Sequence, residues 1–227
     1  MTGNERIQQW RRTIRLPAVR EIFRQAAAFT AMLLLSRAAL PDGLMPFAPS
    51  ATAAAWIAGL PAGALIGCLV GAASRMAWNA LLSTEVTLTC AWGLKLYVGR
   101  VVSRQVMLAV AAGELAALIL FRSSTPYDGL IGILSAAAAL LLTQVYQNAF
   151  VTLRQLRVRK LLAEEEVIAL SITAGTLLVG LLDVQAGGLS LSCILGGAAV
   201  EILAYTGGAG AGAAAGVALG VMLAMGG

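Results

Sequence analysis

Of this chain's 227 residues, 59% are hydrophobic and only 12% charged, against roughly 25% charged in a soluble domain. A mean hydropathy of +0.84 and successive apolar runs from Gln25 onward exclude an ordinary soluble fold. They also lack the period-2 alternation of a barrel, which leaves helices, whose backbone groups are satisfied internally in lipid.

The net charge of +5 does not point to nucleic acid, because the basic residues sit in blocks beside apolar runs. Arg6, Arg11, Arg12, Arg15, Arg20 and Arg24 fill a cytoplasmic N-terminal segment, residues 1–24. Such blocks set topology and meet anionic headgroups of the lipid bilayer. This basic region is too long for a signal peptide. Ser36-Arg37-Ala38 also stands where a small-residue cleavage site would be wanted, so the first span is read as uncleaved.

The predicted spans are 25–41, 46–59, 61–75, 82–99, 105–121, 129–150, 167–183, 189–205 and 208–226. The fold class is therefore all-α: a polytopic transmembrane helical bundle of about eight to nine membrane segments. Residues 25–150 form a first transmembrane group, 151–166 a charged cytoplasmic linker, and 167–227 a second group that reads as truncated.

Segment 46–75 could be one tilted helix or two short ones. Gly59 and Pro61 favour a break. Parity agrees, since two segments return Arg154, Arg157, Arg159 and Lys160 to the side of the N-terminus. Arg37, Arg75 and Arg122 are then left on outer ends. The acidic cluster Glu164–Glu166 suits a helix N-terminus, where carboxylates offset the macrodipole.

Signs of catalysis are sparse. Histidine is absent, removing the commonest general base and a leading zinc ligand. Asp42, Asp128 and Asp183 lie at span ends, and Cys68, Cys90 and Cys193 are isolated within apolar stretches, where buried inert thiols are expected. No catalytic, cofactor or metal site is assigned.

Two intramembrane carboxylates, Glu114 and Glu201, must be paired, protonated or facing a polar cavity. Lys95 and Arg37 are candidate partners. A small secondary transporter or channel using both carboxylates is the alternative function. Gln144, Gln147 and Asn148 form a polar stripe suited to interhelical hydrogen bonds or a snorkelling cytoplasmic end.

Near the end, Gly208, Gly212, Gly216 and Gly220 recur every four residues, a small-residue ladder suited to close helix packing in lipid. With it, two other patches carry a family resemblance. One is Arg37-Ala38 followed by Pro46-Phe47-Ala48; the other is Glu165-Glu166-Val167-Ile168, ahead of a span containing Gly180. With Gly207-Gly208-Ala209 and the ladder, they resemble the N-terminal membrane region of stage II sporulation protein E of endospore-forming bacteria.

The resemblance implies a membrane anchor for a PP2C-type serine phosphatase that activates the forespore sigma factor at the asymmetric division septum. It implies localisation in the bacterial cytoplasmic membrane, self-association, and contact with division-machinery proteins. The phosphatase domain, with its Mn or Mg, would lie outside this chain, so its metal-binding aspartates map to no residue here.

Overall fold

The computed structural model describes residues 17–39, 46–76, 78–98, 103–121, 125–155 and 163–226. Most of the basic segment, Asp42, Arg100, Arg122 and the stretch Arg157–Lys160 fall outside these, as does the side chain of Lys95.

The helices are α1 (Pro17–Arg37), α2 (Phe47–Ile57), α3 (Ala62–Ser74), α4 (Trp78–Val98), α5 (Ser103–Phe121), α6 (Pro126–Gln155), α7 (Glu164–Val179) and α8 (Leu191–Gly226). Two-residue strands, β1 (Gln185–Ala186) and β2 (Leu189–Ser190), form a hairpin between α7 and α8. Its turn is Gly187-Gly188, both at positive φ, as a tight two-residue hairpin requires. The fold is all-helical apart from that hairpin.

Among the described residues, two helices are long and apolar enough to cross a membrane, α5 over Ser103–Leu120 and α6 over Pro126–Gln155. Ala62–Ser74, Leu191–Ile202 and Gly208–Val221 are shorter apolar helices.

Local chemistry explains where the helices stop. Thr125-Pro126-Tyr127-Asp128 opens α6. The Thr125 N–H and hydroxyl donate to Asp128 Oδ2 at 3.0 and 2.7 Å, and the Asp128 N–H donates to Thr125 Oγ1 at 3.2 Å. This is a reciprocal capping box with proline at the first helical position. Helix α7 begins at Glu164, and Glu166 accepts a bond from the Ala163 N–H at 3.0 Å, which is the N-terminal role its acidic cluster suggested.

Segment 46–75 is split. Gly59 takes φ of 63°; the Gly59 N–H reaches the Trp56 carbonyl at 3.1 Å and the Leu60 N–H the Ala55 carbonyl at 2.9 Å. That pair of bonds is the Schellman arrangement. Pro61 in extended conformation then starts α3.

Contact registers order the helices. Gly63, Gly67 and Gly71 of α3 face the Gln25, Phe29 and Leu33 carbonyls of α1, so α1 and α3 run parallel. Gly113 of α5 lies on Ser83 and Thr87 of α4, and Ser103 bonds Gln147 while Glu114 bonds Ser135. Helices α4, α5 and α6 therefore alternate in direction. Helix α2 follows the second half of α6, with Ser50 on the Ala139 carbonyl and the Ala58 carbonyl on Arg154.

Helix α8 is two limbs. Gly208 breaks it at φ 84° and ψ 171°. Gly212 then packs on Ala204, Gly216 on Val200, and Gly196 near Leu223. Residues 191–207 and 209–226 thus form an antiparallel helical hairpin over the stretches predicted as the two terminal spans, whose apolar parts, Leu191–Ile202 and Gly208–Val221, are shorter than a candidate crossing.

The core is made mostly of small side chains, with a few large ones among them. Every residue of α2 from Phe47 to Ala55 is buried, as expected of a helix that is non-polar on all sides. Around it lie Met32 and Leu35 of α1, Cys68 of α3, Tyr146 and Phe150 of α6, and Val179 of α7. Buried hydroxyls bond back along their own helices: Thr52 to Ala48, Thr84 to Ala80, Thr143 to Ala139 and Thr173 to Ala169, all at 2.7–2.8 Å. Large apolar residues face outward instead, including Leu108, Ile133, Leu134 and Leu141, each more than 60% exposed.

The α1–α3 contact makes a specific prediction. A Cβ at Gly67 would strike the Phe29 backbone, whereas one at Gly93 would meet nothing within 4 Å. Gly67→Ala should therefore lower stability by about 1–3 kcal/mol through overpacking. Gly93→Ala should be neutral or stabilising by up to about 1 kcal/mol. Equilibrium unfolding in mixed detergent reads both; equal effects would remove the close-approach explanation.

Candidate functional site

Polar side chains converge at three places in the bundle. The first seals the break after α2. The Schellman bonds occupy the Ala55 and Trp56 carbonyls, leaving that of Ala58, which is 7% exposed. Arg154, near the end of α6, donates Nη1 to it at 2.6 Å. A guanidinium at a helix C-terminus satisfies an orphan acceptor and opposes the negative end of the macrodipole. The sequence placed Arg154 in a basic linker, but here it caps the C-terminal end of α2.

The second lies among α4, α5 and α6. Glu114 accepts Ser83 Oγ on Oε1 and Ser135 Oγ on Oε2, both at 2.9 Å. Gly113 beside it rests on the Ser83 carbonyl, and that close approach lets the carboxyl reach α4. Each oxygen has a donor from a different helix, so the group acts as a three-helix tie.

The third joins the far ends of α1, α3 and the α7–β1 connection. Arg75 Nη2 lies 2.6 Å and Arg37 Nη2 3.6 Å from the same oxygen, Asp183 Oδ2. Arg37 Nη1 also donates to Ser74 Oγ at 3.2 Å. Arg37 therefore pairs with Asp183 and not with the intramembrane glutamates for which it was a candidate partner.

The remaining singled-out residues are dispersed. Glu201 is exposed on the first limb of α8, where no hydrogen bond or ion pair engages it among the described residues. Among the described residues, helices α5 and α8 share no substantial packing, and Glu114 is engaged by Ser83 and Ser135 and not by the exposed Glu201. Glu85, a third carboxylate inside a predicted span, faces outward from α4.

Pro46 caps α2, and Phe47 enters the core. Glu165 is exposed in the first turn of α7, and Gly207 immediately precedes the α8 break. Of the ladder, Gly208 makes the turn, Gly212 and Gly216 pack within the hairpin, and Gly220 has nothing within 4 Å. In the polar stripe, Gln147 accepts a bond from Ser103 at 3.2 Å. Cys68 is buried as expected; Cys90 and Cys193 are exposed, because their stretches face outward at those positions.

The glycines that bring separate backbones together most closely are Gly67 and Gly71, which share their register with Gly63, and Gly180 against the Leu34 carbonyl of α1. For Gly63, Gly67 and Gly71 the signal was the same i, i+4 spacing that distinguishes the terminal ladder.

No three His, Cys, Asp or Glu side chains gather into a metal-binding group among the described residues. The polar clusters tie helices together and offer no nucleophile paired with a base. The molecule is thus defined as an all-α, glycine-packed bundle with two helices of membrane-crossing length and composition. Its family follows from the comparison with family models: the chain belongs to the SpoIIE N-terminal domain family, whose model matches residues 2–227. It is a sporulation-associated region and not a catalytic phosphatase domain. Neither a curated protein nor a solved structure matches it.

The Glu114 tie predicts coupled energetics. Ser135→Ala should cost about 1–3 kcal/mol by leaving a carboxyl oxygen without its donor. In a Glu114→Ala background the same change should cost much less. A double-mutant cycle by detergent unfolding measures the difference; additivity would mean that the contact contributes nothing.

Proposed function

We propose that this domain is a polytopic anchor. It would hold a sporulation protein in the bacterial cytoplasmic membrane and localise it to the division septum through about eight to nine crossings. The observation that carries the reading is the distribution of side-chain size: small and hydroxyl-bearing residues inside, large aliphatic residues outside. In water that arrangement exposes more apolar surface than a monomer normally tolerates. In lipid it is favourable, because helices associate through small residues and internal hydrogen bonds while bulky side chains meet acyl chains.

The contact registers support nine alternating segments: α1 to α7 and the two limbs of α8. Helices α2 and α3, at about 1.5 Å per residue, reach roughly 16 and 20 Å, less than the ~30 Å hydrocarbon core. They cross only as part of a bundle that surrounds them. The basic N-terminal segment and the Arg154 end of α6 then share the cytoplasmic side, following the positive-inside rule.

Self-association and contact with division proteins belong to the same reading and rest on family membership. So does the phosphatase to which such an anchor would be coupled. The transporter alternative receives no support, since its two carboxylates sit on separate helices that share no substantial packing among the described residues.

Reporter fusions test the topology. Fusions after Gln155 should report the cytoplasm and fusions after Thr125 the opposite side, with the chain resisting alkaline extraction from membranes. Both fusions reporting the same side, or release at alkaline pH, would overturn the reading.

A further inference from the structure

The Arg37–Arg75–Asp183 cluster has more positive charge than its helix-tying role needs. Two guanidiniums share a single carboxylate oxygen, which leaves one positive charge without a counter-ion among the described residues. Arg37 spends one nitrogen on Ser74. For the Arg75 side chain, Asp183 is the acceptor found, and the Nε atoms of both arginines are buried without a partner. Arg side chains in such a fork recognise phosphate oxygens through paired, charge-assisted bonds.

The position is equally telling. Both arginines lie at the end of the bundle opposite Arg154 and Gln25, where the charge rule disfavours them. Their side chains are 22% and 25% exposed and that of Asp183 is 48% exposed. The cluster thus opens at a helix-end surface while its stems are held by packing. A cost of this kind at a membrane boundary is offset when an anion completes the site.

We propose that Arg37 and Arg75 form a binding site for a phosphate group, with Asp183 acting as an internal competitor that holds the fork open. The inference rests on the membrane reading for its lipid source, a phosphodiester headgroup; free phosphate is the other source of the same chemistry. Asp183 orients the guanidiniums and occupies part of their donor capacity, so its removal should strengthen anion binding even as it loosens the helix ends.

The test uses the full chain in neutral detergent, titrated separately with inorganic phosphate, phosphatidylglycerol and phosphatidylcholine, with binding read by native mass spectrometry and thermal melting. Saturable binding of phosphatidylglycerol over phosphatidylcholine identifies the headgroup as the source, and saturation by inorganic phosphate alone identifies the free anion. Arg75→Gln should weaken either by about tenfold or more, while Asp183→Asn should bind at least as tightly as the parent despite a lower melting point.

No preference for either anion, or unchanged affinity in Arg75→Gln, would overturn the proposal. Loss of binding in a folded Asp183→Asn protein would do the same, since it marks a purely structural ion pair. Should Asp183→Asn be too unstable to purify, Arg75→Gln and the charge-preserving Arg75→Lys decide alone. Binding must fall in the first and be retained only in part in the second, since an ammonium keeps the charge and loses the paired bonds of the fork. Because soluble phosphate binding needs no bilayer, failure of the topology test and failure of this one are distinguishable.

Discussion

Backbone approaching backbone along α1 is the constraint on which the rest of the bundle depends. Helix α3 reaches the carbonyls of Gln25, Phe29 and Leu33 through three glycines, and the end of α7 reaches that of Leu34 through Gly180. A methyl group at these positions would meet peptide atoms, which cannot move aside as a flexible side chain can. The distances between these elements are thus set by the absence of side chains. In apolar surroundings, where water supplies no drive for helices to associate, contact area gained this way is the main source of cohesion. The same register carries α3 on to its last turn, one step beyond Gly71, and so delivers Ser74 and Arg75 to Arg37.

The second consequence concerns α2. With α1, α3, α4, α5 and α6 packed around α2, the space left between them admits a helix only if its side chains are small. Its run Ala-Thr-Ala-Ala-Ala at residues 51–55 meets that condition. Pro49 is tolerated because it lies in the first turn, where its missing N–H has no intrahelical acceptor. A short helix buried on every side has nowhere to expose its last carbonyls. The glycine at 59 and the guanidinium of Arg154 resolve that problem together: one folds the chain so that two carbonyls are met locally, and the other supplies a donor from across the bundle.

Much of this was legible in the sequence, and what was not has a physical explanation. Helix limits follow local rules, so the break at Gly59–Pro61, the start of α7 at Glu164 and the two terminal limbs could all be read from residue order. Which face a helix turns to its neighbours depends on distant partners. Glu114 and Glu201 look alike in sequence, each a lone acid in an apolar run, yet one is tied by two serines and the other faces outward. Likewise, glycines four apart at 63–71 and at 208–220 carry the same signal. One set joins separate helices; the other is divided between a turn, an internal hairpin contact and open surface. Periodicity announces close approach without naming the partner. Arg37, Arg75 and Asp183, lying more than a hundred residues apart at the extremes, offered no local signal of their convergence.

Each polar cluster draws its members from different parts of the chain, and this bears on what kind of module the bundle can be. Glu114 ties three helices, Arg154 joins α6 to the end of α2, and Asp183 collects the ends of α1 and α3. In a low-dielectric interior, a donor or acceptor deprived of its partner costs more than the pair contributes when made. Sliding one helix past another would deprive several such groups at once. Polar ties therefore fix the register that glycine contacts alone would leave free to slip. A bundle locked in this manner suits a structural role in which fixed geometry is passed to attached or neighbouring parts. It is poorly suited to alternating access, which needs one group of helices to rock against another around a shared site. The feature that weighs most against transport is therefore the use of the Glu114 carboxylate to hold α4, α5 and α6 in one arrangement.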